Sequence, residues 1–204
     1  KIQVISDGEE ISLGDKTLKF IFAPGVHWPD TMFTYIKEDN VICTCDFLGA
    51  HYTFSDVFAQ ESVELEKSAK RYYAEIMMPF RMMCKKYTAQ IKDMNVDMIL
   101  PSHGPVYKNP KFILDLYTDW TSDTPKNLVA LPYVSMYDST KEMIDYLSDK
   151  LNEKGIKTFK FDMVEDDLGD LAMTLVDSAT IVMGTSMVLA GPHPVAVNVA
   201  YIAS

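Results

Sequence analysis

The sequence predicts an α/β protein made of two parts, an antiparallel β region with attached helices followed by a doubly wound parallel sheet. Short apolar runs bounded by turn residues fill residues 1–50, which is typical of consecutive antiparallel strands. Apolar residues at spacings of three and four then indicate helix up to residue 94. Beyond residue 125, strand-like and helix-like segments alternate, as in a parallel sheet covered by helices.

The composition is that of a folded, acidic protein and argues against several classes of function. The 204 residues, 48% of them hydrophobic, suffice for one large domain or two small ones. With 19 basic and 29 acidic side chains the net charge is −10, which disfavours nucleic acid as a partner. No apolar run reaches the roughly 18 residues needed to span a bilayer, so no membrane segment is expected.

The cysteines favour a reducing compartment. Cys43, Cys45 and Cys84 are too few for a disulfide framework, and no secretory leader opens the sequence, so we expect a cytoplasmic protein. Only one residue separates Cys43 from Cys45, which is shorter than the spacing of zinc and redox pairs. Both are therefore predicted to be small residues of the core.

The first part begins with predicted strands and continues into a divided helix. The four strands are residues 1–5, 18–22, 31–36 and 41–45. The helical stripe within residues 55–94 consists of Tyr73, Met77, Phe80, Cys84, Tyr87 and Ile91. Pro79 should divide this helix, because proline lacks a backbone donor and clashes with the preceding turn.

A short buried strand and one more helix complete the first part. The strand at 96–100 runs into a tight loop that contains His103. A helix follows at 111–121, and the small polar residues 121–125 have the composition of a linker. We place a domain boundary there, with residues 1–122 before it and residues 126–204 after it.

The second part is predicted to alternate strands and helices. The strands are 128–134, 157–161 and 180–184, and the helices are 139–154 and 166–178. Right-handed crossovers place a ligand site at the carboxyl ends of parallel strands, which here means residues 135–140 and 184–191.

Four polar residues of the first part follow predicted strands: His27, Asp46, His51 and His103. Imidazole nitrogens and a carboxylate brought together at strand ends suit zinc or iron. Each of the four, taken alone, could equally be an ordinary loop residue.

Four stretches of the first part together form a more specific pattern. They are residues 27–35 (His-Trp-Pro-Asp-Thr-Met-Phe-Thr-Tyr), 46–51 (Asp-Phe-Leu-Gly-Ala-His), 72–80 (Tyr-Tyr-Ala-Glu-Ile-Met-Met-Pro-Phe) and 101–105 (Pro-Ser-His-Gly-Pro). In this order they resemble the flavodiiron proteins, also called A-type flavoproteins, which include the F420H2 oxidases of methanogens. The resemblance implies the C-terminal half of a metallo-β-lactamase-like αββα domain, followed by the N-terminal part of a flavodoxin-like sheet.

The resemblance also implies a set of metal ligands. His27 would bind one iron, His103 the other, and Asp46 would bridge the two. His51 and one of Tyr72 or Tyr73, of which we choose Tyr73, would form hydrogen bonds around the metals, although a buried tyrosine bonded to the backbone is an equally good interpretation.

Two loops of the second part suit a flavin. Hydroxyls and backbone N–H groups at a helix start bind phosphate, which favours Ser135, Ser139 and Thr140, although Ser139 could simply cap the helix. By resemblance, Met136 and Tyr137 belong to the same FMN phosphate loop. Ser186, Met187 and Val188 would lie against the isoalloxazine ring. The family often has glycine at Asp138 and commonly Pro-Thr at 186–187, so Asp138 would place a carboxylate near a dianionic phosphate.

The implied activity is an oxidoreductase in which FMN passes electrons to two non-haem irons that reduce O2 to water or NO to N2O. Its partners would be a second copy in a head-to-tail dimer or dimer of dimers, and an electron donor such as F420H2, rubredoxin or a flavin reductase. The family's upstream His-x-Glu-x-Asp-His motif and its later flavodoxin strands do not occur in the sequence, so we expect an internal piece of a longer protein. The alternatives are a zinc hydrolase of the metallo-β-lactamase superfamily and a truncated, non-catalytic module.

Overall fold

The computed structural model describes residues 2–53 and 55–203 and divides into two compact units. The first unit comprises Lys1–Ser122 and the second Asp123–Ser204. No helix within the described residues is long and apolar enough to cross a membrane.

The first unit contains a five-stranded sheet. In the order of the sheet, the strands are β1 (Glu10–Ser12), β2 (Thr17–Phe22), β3 (Met32–Ile36), β4 (Val41–Cys45) and β5 (Met98–Pro101). Strands β2, β3 and β4 pair antiparallel, as predicted; β1 also pairs antiparallel with β2, and β5 joins β4 in parallel. As a result β2, β4 and β5 all run in the same direction and end at the same edge of the sheet.

The strand predicted at residues 1–5 is wrong. Lys1 lies outside the described residues, and residues 2–6 form no strand; the edge strand is β1 instead. The β1–β2 register pairs Ser12 with Thr17 and Glu10 with Lys19. Continued in this register, residues 2–6 would lie beyond Phe22, the last residue of β2, and so they have no strand to pair with.

The first unit also contains three helices. They are α1 (Val63–Tyr72), α2 (Arg81–Met94) and α3 (Pro110–Trp120). Between α1 and α2 the chain forms a π-helical turn, Tyr73–Met77, and a 3-10 turn, Met78–Phe80. The predicted break at Pro79 is confirmed. One member of the predicted stripe, Phe80, is 37% exposed, whereas the other members are buried.

The cysteine prediction is wrong for Cys45. The β4 residues that face the core are Ile42 and Thr44, so Cys43 lies on the other face and is half-buried. Cys45 is exposed and has a positive φ of 52°, at an irregularity in the pairing of β4 with β5. Cys84 is fully buried.

The second unit is a parallel sheet with helices on both faces. Its main strands are β6 (Lys126–Val134), β7 (Lys157–Asp162) and β8 (Ser178–Ile181), in the order β7-β6-β8. Its helices are α4 (Ser139–Glu153), α5 (Leu168–Asp177) and α6 (Pro194–Ile202). One core cluster contains Val129, Leu131, Tyr133 and Ile144. The other contains Ala130, Phe161, Leu171 and Val199. Because neighbouring residues of β6 belong to different clusters, the sheet is doubly wound, as predicted.

The strand predicted at 180–184 is shorter and divided. Strand β8 ends at Ile181, and a two-residue strand, β9 (Gly184–Thr185), returns to pair with β6. A small hairpin of β10 (Met187–Val188) and β11 (Gly191–Pro192) follows.

Candidate metal centre and flavin loops

Three predicted ligands meet at one edge of the first sheet. Their loops follow β2, β4 and β5, and these strands end at the same edge. His27 lies in the loop after β2, Asp46 directly follows β4, and His103 follows β5. The strand directions therefore bring together residues that are up to 76 positions apart in the sequence (103 − 27).

The two imidazoles face opposite oxygens of one carboxylate. His27 Nε2 lies 3.3 Å from Asp46 Oδ2, and His103 Nε2 lies 3.4 Å from Asp46 Oδ1. The Asp46 side chain is the most enclosed of the three, at 19% exposed. This arrangement suits a carboxylate shared by two metal ions, with one histidine for each ion.

The cluster supplies only part of a metal site. Each ion would receive one imidazole and one carboxylate oxygen from it. Within residues 2–53 and 55–203, no group of three or more His, Cys, Asp or Glu is placed to hold a single metal ion. The three residues thus fit a shared-carboxylate site that takes further ligands from elsewhere.

Backbone hydrogen bonds fix the loop of Asp46 against the loop of His103. Ser102 N–H donates to Cys45 O at 2.7 Å, and Ala50 N–H donates to His103 O at 3.2 Å. Gly104 makes this approach possible, because a Cβ on it would lie 2.5 Å from Ala50 O. Its φ of +86° is also a conformation that favours glycine.

Tyr72 belongs to this cluster. Its hydroxyl donates to the main-chain carbonyl oxygen of Asp46 at 3.0 Å. Burial, and secondarily the nearby Asp46, raises the pKa of the Tyr72 phenol, so it stays a donor. The His51 ring stands edge-on to Tyr72, with centroids 4.9 Å apart, and 5.8 Å from the His103 ring.

The structure places Tyr73 elsewhere, which corrects the choice between the two tyrosines. Its ring packs against Tyr117 and Trp120, with centroids 5.2 and 5.5 Å away. Its hydroxyl donates to Trp120 O at 3.5 Å, a long contact. Tyr73 is therefore a core residue, and Tyr72 takes the place expected near the metal ligands.

Sequence reasoning did not single out the glycines of these loops. A Cβ on Gly49 would lie 3.1 Å from Asp46 O and 3.2 Å from His103 O. The available signal was the position of each glycine, because Gly49 and Gly104 stand three residues after Asp46 and one after His103. Glycine beside a candidate ligand often marks a close backbone approach.

In the second unit, Ser186 joins the two predicted flavin loops. Its Oγ accepts from Met136 N–H at 3.2 Å and lies 3.4 Å from Thr140 Oγ1. Ser135 Oγ accepts from Lys141 N–H at 3.3 Å. The structure thus brings together Ser135, Thr140 and Ser186 at the carboxyl end of β6.

The other predicted flavin residues surround this cluster less closely. Met136 and Tyr137 are exposed, and Ser139 is the first residue of α4. Met187 and Val188 form β10 of the small hairpin, where Met187 is exposed and Val188 half-buried. His193 caps α6, since its Nδ1 accepts from Val195 N–H at 3.2 Å.

The start of α4 has the donors that a phosphate needs. Within the described part of the chain, the backbone N–H groups of Tyr137, Asp138 and Thr140 donate to no protein acceptor. The N-terminus of a helix carries a partial positive charge, and free N–H groups there bind anions. The loop therefore fits a phosphate group, such as the one FMN carries.

A family model described as "ODP family beta lactamase" matches residues 1–104. The chain belongs to the ODP family. It is 28% identical over 200 residues to the coenzyme F420H(2) oxidase of Methanothermobacter marburgensis, covering 95% of this chain and 50% of that protein. It is 32% identical over 188 residues to the nitric oxide reductase of Moorella thermoacetica, covering 89% of this chain and 47% of that protein.

The similarity of this ODP-family chain extends to solved structures. The crystal structure of the flavodiiron protein from Giardia intestinalis matches with a TM-score of 0.91 and 25% identity, over 98% of this chain and 50% of that one. The resemblance to flavodiiron proteins and the predicted fold class are therefore confirmed. The chain spans about half the length of the curated relatives it matches.

Proposed function

We propose that this chain is part of a flavodiiron oxidoreductase that reduces O2 to water or NO to N2O. The observation that carries the proposal is the placement of His27 and His103 on opposite oxygens of Asp46. The names of the relatives, a coenzyme F420H(2) oxidase and a nitric oxide reductase, support the reaction class. When bound, FMN and two irons would supply the redox chemistry.

In this proposal the first unit holds the metals. Asp46 would hold both ions, and His27 and His103 would each hold one. Iron suits the task because it changes oxidation state, whereas zinc acts only as a Lewis acid. Tyr72 positions Asp46 through its carbonyl oxygen, and His51 restricts the Tyr72 ring from the side.

The second unit binds the flavin. The hydroxyls of Ser135, Ser139 and Thr140 and the free N–H groups at the start of α4 hold the phosphate. Ser186 ties the second loop to the first. By the resemblance, Met136 and Tyr137 complete the phosphate loop, and Met187 and Val188 lie against the isoalloxazine ring.

The resemblance to flavodiiron proteins also supports an assignment of the domains and the partners. We assign residues 1–122 to the metallo-β-lactamase-like diiron domain and residues 126–204 to the flavodoxin-like domain, which agrees with the division into compact units. A head-to-tail dimer or dimer of dimers would bring flavin and iron of different copies together. The electron donor would be F420H2, rubredoxin or a flavin reductase. The free cysteines suit a cytoplasmic location.

Metal and flavin analysis of the purified protein that carries this chain tests the proposal. We expect iron in excess of zinc, together with the yellow absorption of a bound flavin. Stoichiometric zinc without flavin would instead support a zinc hydrolase, the second candidate, because the family description of residues 1–104 names a β-lactamase. Neither metal nor flavin would support a non-catalytic module.

A further inference from the structure

An unpaired carboxylate lies in the loop assigned to the flavin phosphate. Asp138 directly precedes α4 and has the left-handed backbone conformation, with φ 60° and ψ −15°. Its side chain makes no capping hydrogen bond to the helix. Within residues 2–53 and 55–203 the Asp138 carboxylate has no ion-pair or hydrogen-bond partner.

Asp138 lies in the same turn as the backbone N–H groups that are available to bind an anion. Among the described residues, no protein acceptor binds the backbone N–H groups of Tyr137, Asp138 itself and Thr140. An anion held by these donors would lie beside the Asp138 side chain. Glycine would give the same left-handed turn without a charge, and asparagine tolerates that conformation as well. The aspartate is therefore not required by the backbone.

We propose that Asp138 sets the preference of this site between phosphorylated and unphosphorylated flavins. Its negative charge lowers the affinity for FMN, whose phosphate carries close to two negative charges at neutral pH. It leaves the affinity for riboflavin unchanged, because riboflavin has no phosphate. The inference rests on the proposed flavin function and deepens it by naming the residue that determines ligand selectivity.

The repulsion is electrostatic and acts in an exposed loop. A carboxylate next to a phosphate dianion changes a binding constant by about tenfold at low ionic strength. Salt screens exposed charges, with a Debye length of about 30 Å at 0.01 M and about 3 Å at 1 M. The effect of Asp138 should therefore shrink as salt is added, which an effect on loop shape would not do.

The experiment is a titration of the protein that carries this chain, freed of flavin, with FMN and with riboflavin, measured by the quenching of flavin fluorescence. The variants are Asp138→Asn, which keeps the shape and removes the charge, and Asp138→Gly, which also removes backbone strain. The control is Asp149→Asn, which removes the same charge from an exposed position of α4. Asp149 is eleven residues further along (149 − 138), or about 16 Å along the helix axis.

The expected result is that Asp138→Asn binds FMN about tenfold more tightly at low salt, with a smaller gain at high salt. Riboflavin binding should not change, and Asp149→Asn should behave as the unaltered chain. Equal FMN affinities for Asp138→Asn and the unaltered chain would overturn the inference, and so would an equal gain for riboflavin. If no variant bound either flavin, the proposed flavin function itself would fail.

Discussion

The hydroxyl of Tyr72 donates a hydrogen bond to the main-chain oxygen of Asp46, the residue that lies between the two histidines. Tyr72 is the last residue of α1 and is 2% exposed, so a helix reaches the ligand loop through a buried contact. The same carbonyl also accepts from Gly49 N–H at 3.3 Å. Helix and loop thereby fix the backbone from which the Asp46 carboxylate extends.

Replacing Tyr72 with phenylalanine should weaken metal binding more than it weakens the fold. The loss of one buried hydrogen bond costs about 1 kcal/mol of unfolding free energy, because Gly49 still satisfies the carbonyl in part. Loss of an outer contact to a metal ligand typically costs about 10- to 100-fold in metal affinity. Metal titration and denaturant unfolding measure the two effects separately.

Tyr73→Phe is the matched control for that change. It removes the hydroxyl of the neighbouring tyrosine, whose long contact is with Trp120 and not with the ligand loop. Metal affinity should stay at the level of the unaltered chain. Equal losses of metal affinity in the two variants would show that the hydroxyl of Tyr72 has no special role.

Gly104→Ala should destabilise the first unit strongly. The added Cβ would lie 2.5 Å from Ala50 O, a contact that real Cβ atoms essentially never make, so one of the two ligand loops must move. The left-handed φ of +86° adds about 1–2 kcal/mol of strain. We expect the free energy of unfolding to fall by more than about 2 kcal/mol in total, as measured by denaturant unfolding.

The control for this change is Gly8→Ala. Gly8 has a comparable φ of +75° and belongs to the same unit, but a Cβ there meets no atom of the described residues within 4 Å. The free energy of unfolding of this variant should fall only by the added backbone strain, about 1–2 kcal/mol. If both alanines cost the same, the contact with Ala50 would not matter to the ligand loops.

The elements that could be predicted from the sequence are those with a strong local pattern. The β4 strand was predicted at its observed bounds, and the break at Pro79 follows from the chemistry of proline. The error at residues 1–5 has a non-local cause, since the β1–β2 register decides which residues find a partner. A single segment carries no information about that register.

For the site, the sequence could indicate the loops but not the side chains that meet. Polar residues at strand ends indicated His27, Asp46, His51 and His103, and the resemblance to flavodiiron proteins implied that His27, Asp46 and His103 are the ligands. The strand directions explain why these three converge. The choice between Tyr72 and Tyr73 depends on which face of a helix meets the ligand loop. Neighbouring helical residues point about 100° apart, and here α1 gives way to a π-helical turn between the two.

The cysteines should differ sharply in reactivity. Cys45 is exposed, whereas Cys84 is buried and donates its thiol to Met77 O at 3.5 Å. Burial raises the pKa of Cys84 to about 12, so almost no thiolate forms near neutral pH. Alkylation followed by mass spectrometry should modify Cys45 in the native protein and Cys84 only after unfolding. Rapid native modification of Cys84 would contradict its burial.

The same thiol makes stability depend on pH. In the folded state Cys84 keeps its proton up to about pH 12, whereas in the unfolded state it loses the proton near its ordinary value of 9.0. The folded state therefore binds more protons in this range, and its stability falls as the pH rises from about 9 towards 12. Cys84→Ala should make that fall less steep in urea unfolding at alkaline pH. An unchanged pH dependence would remove Cys84 as a cause.

Asp46→Ala should remove both metals together, because its two oxygens face different histidines. His27→Ala should weaken mainly one metal, and His103→Ala the other. Metal analysis of the three purified variants measures this directly. The control is Asp97→Ala, an exposed aspartate just before β5, at the opposite end of that strand from His103. It should keep the full metal content. If Asp46→Ala also kept it, Asp46 would not be the shared ligand, and the histidines would have to bind metal independently of each other.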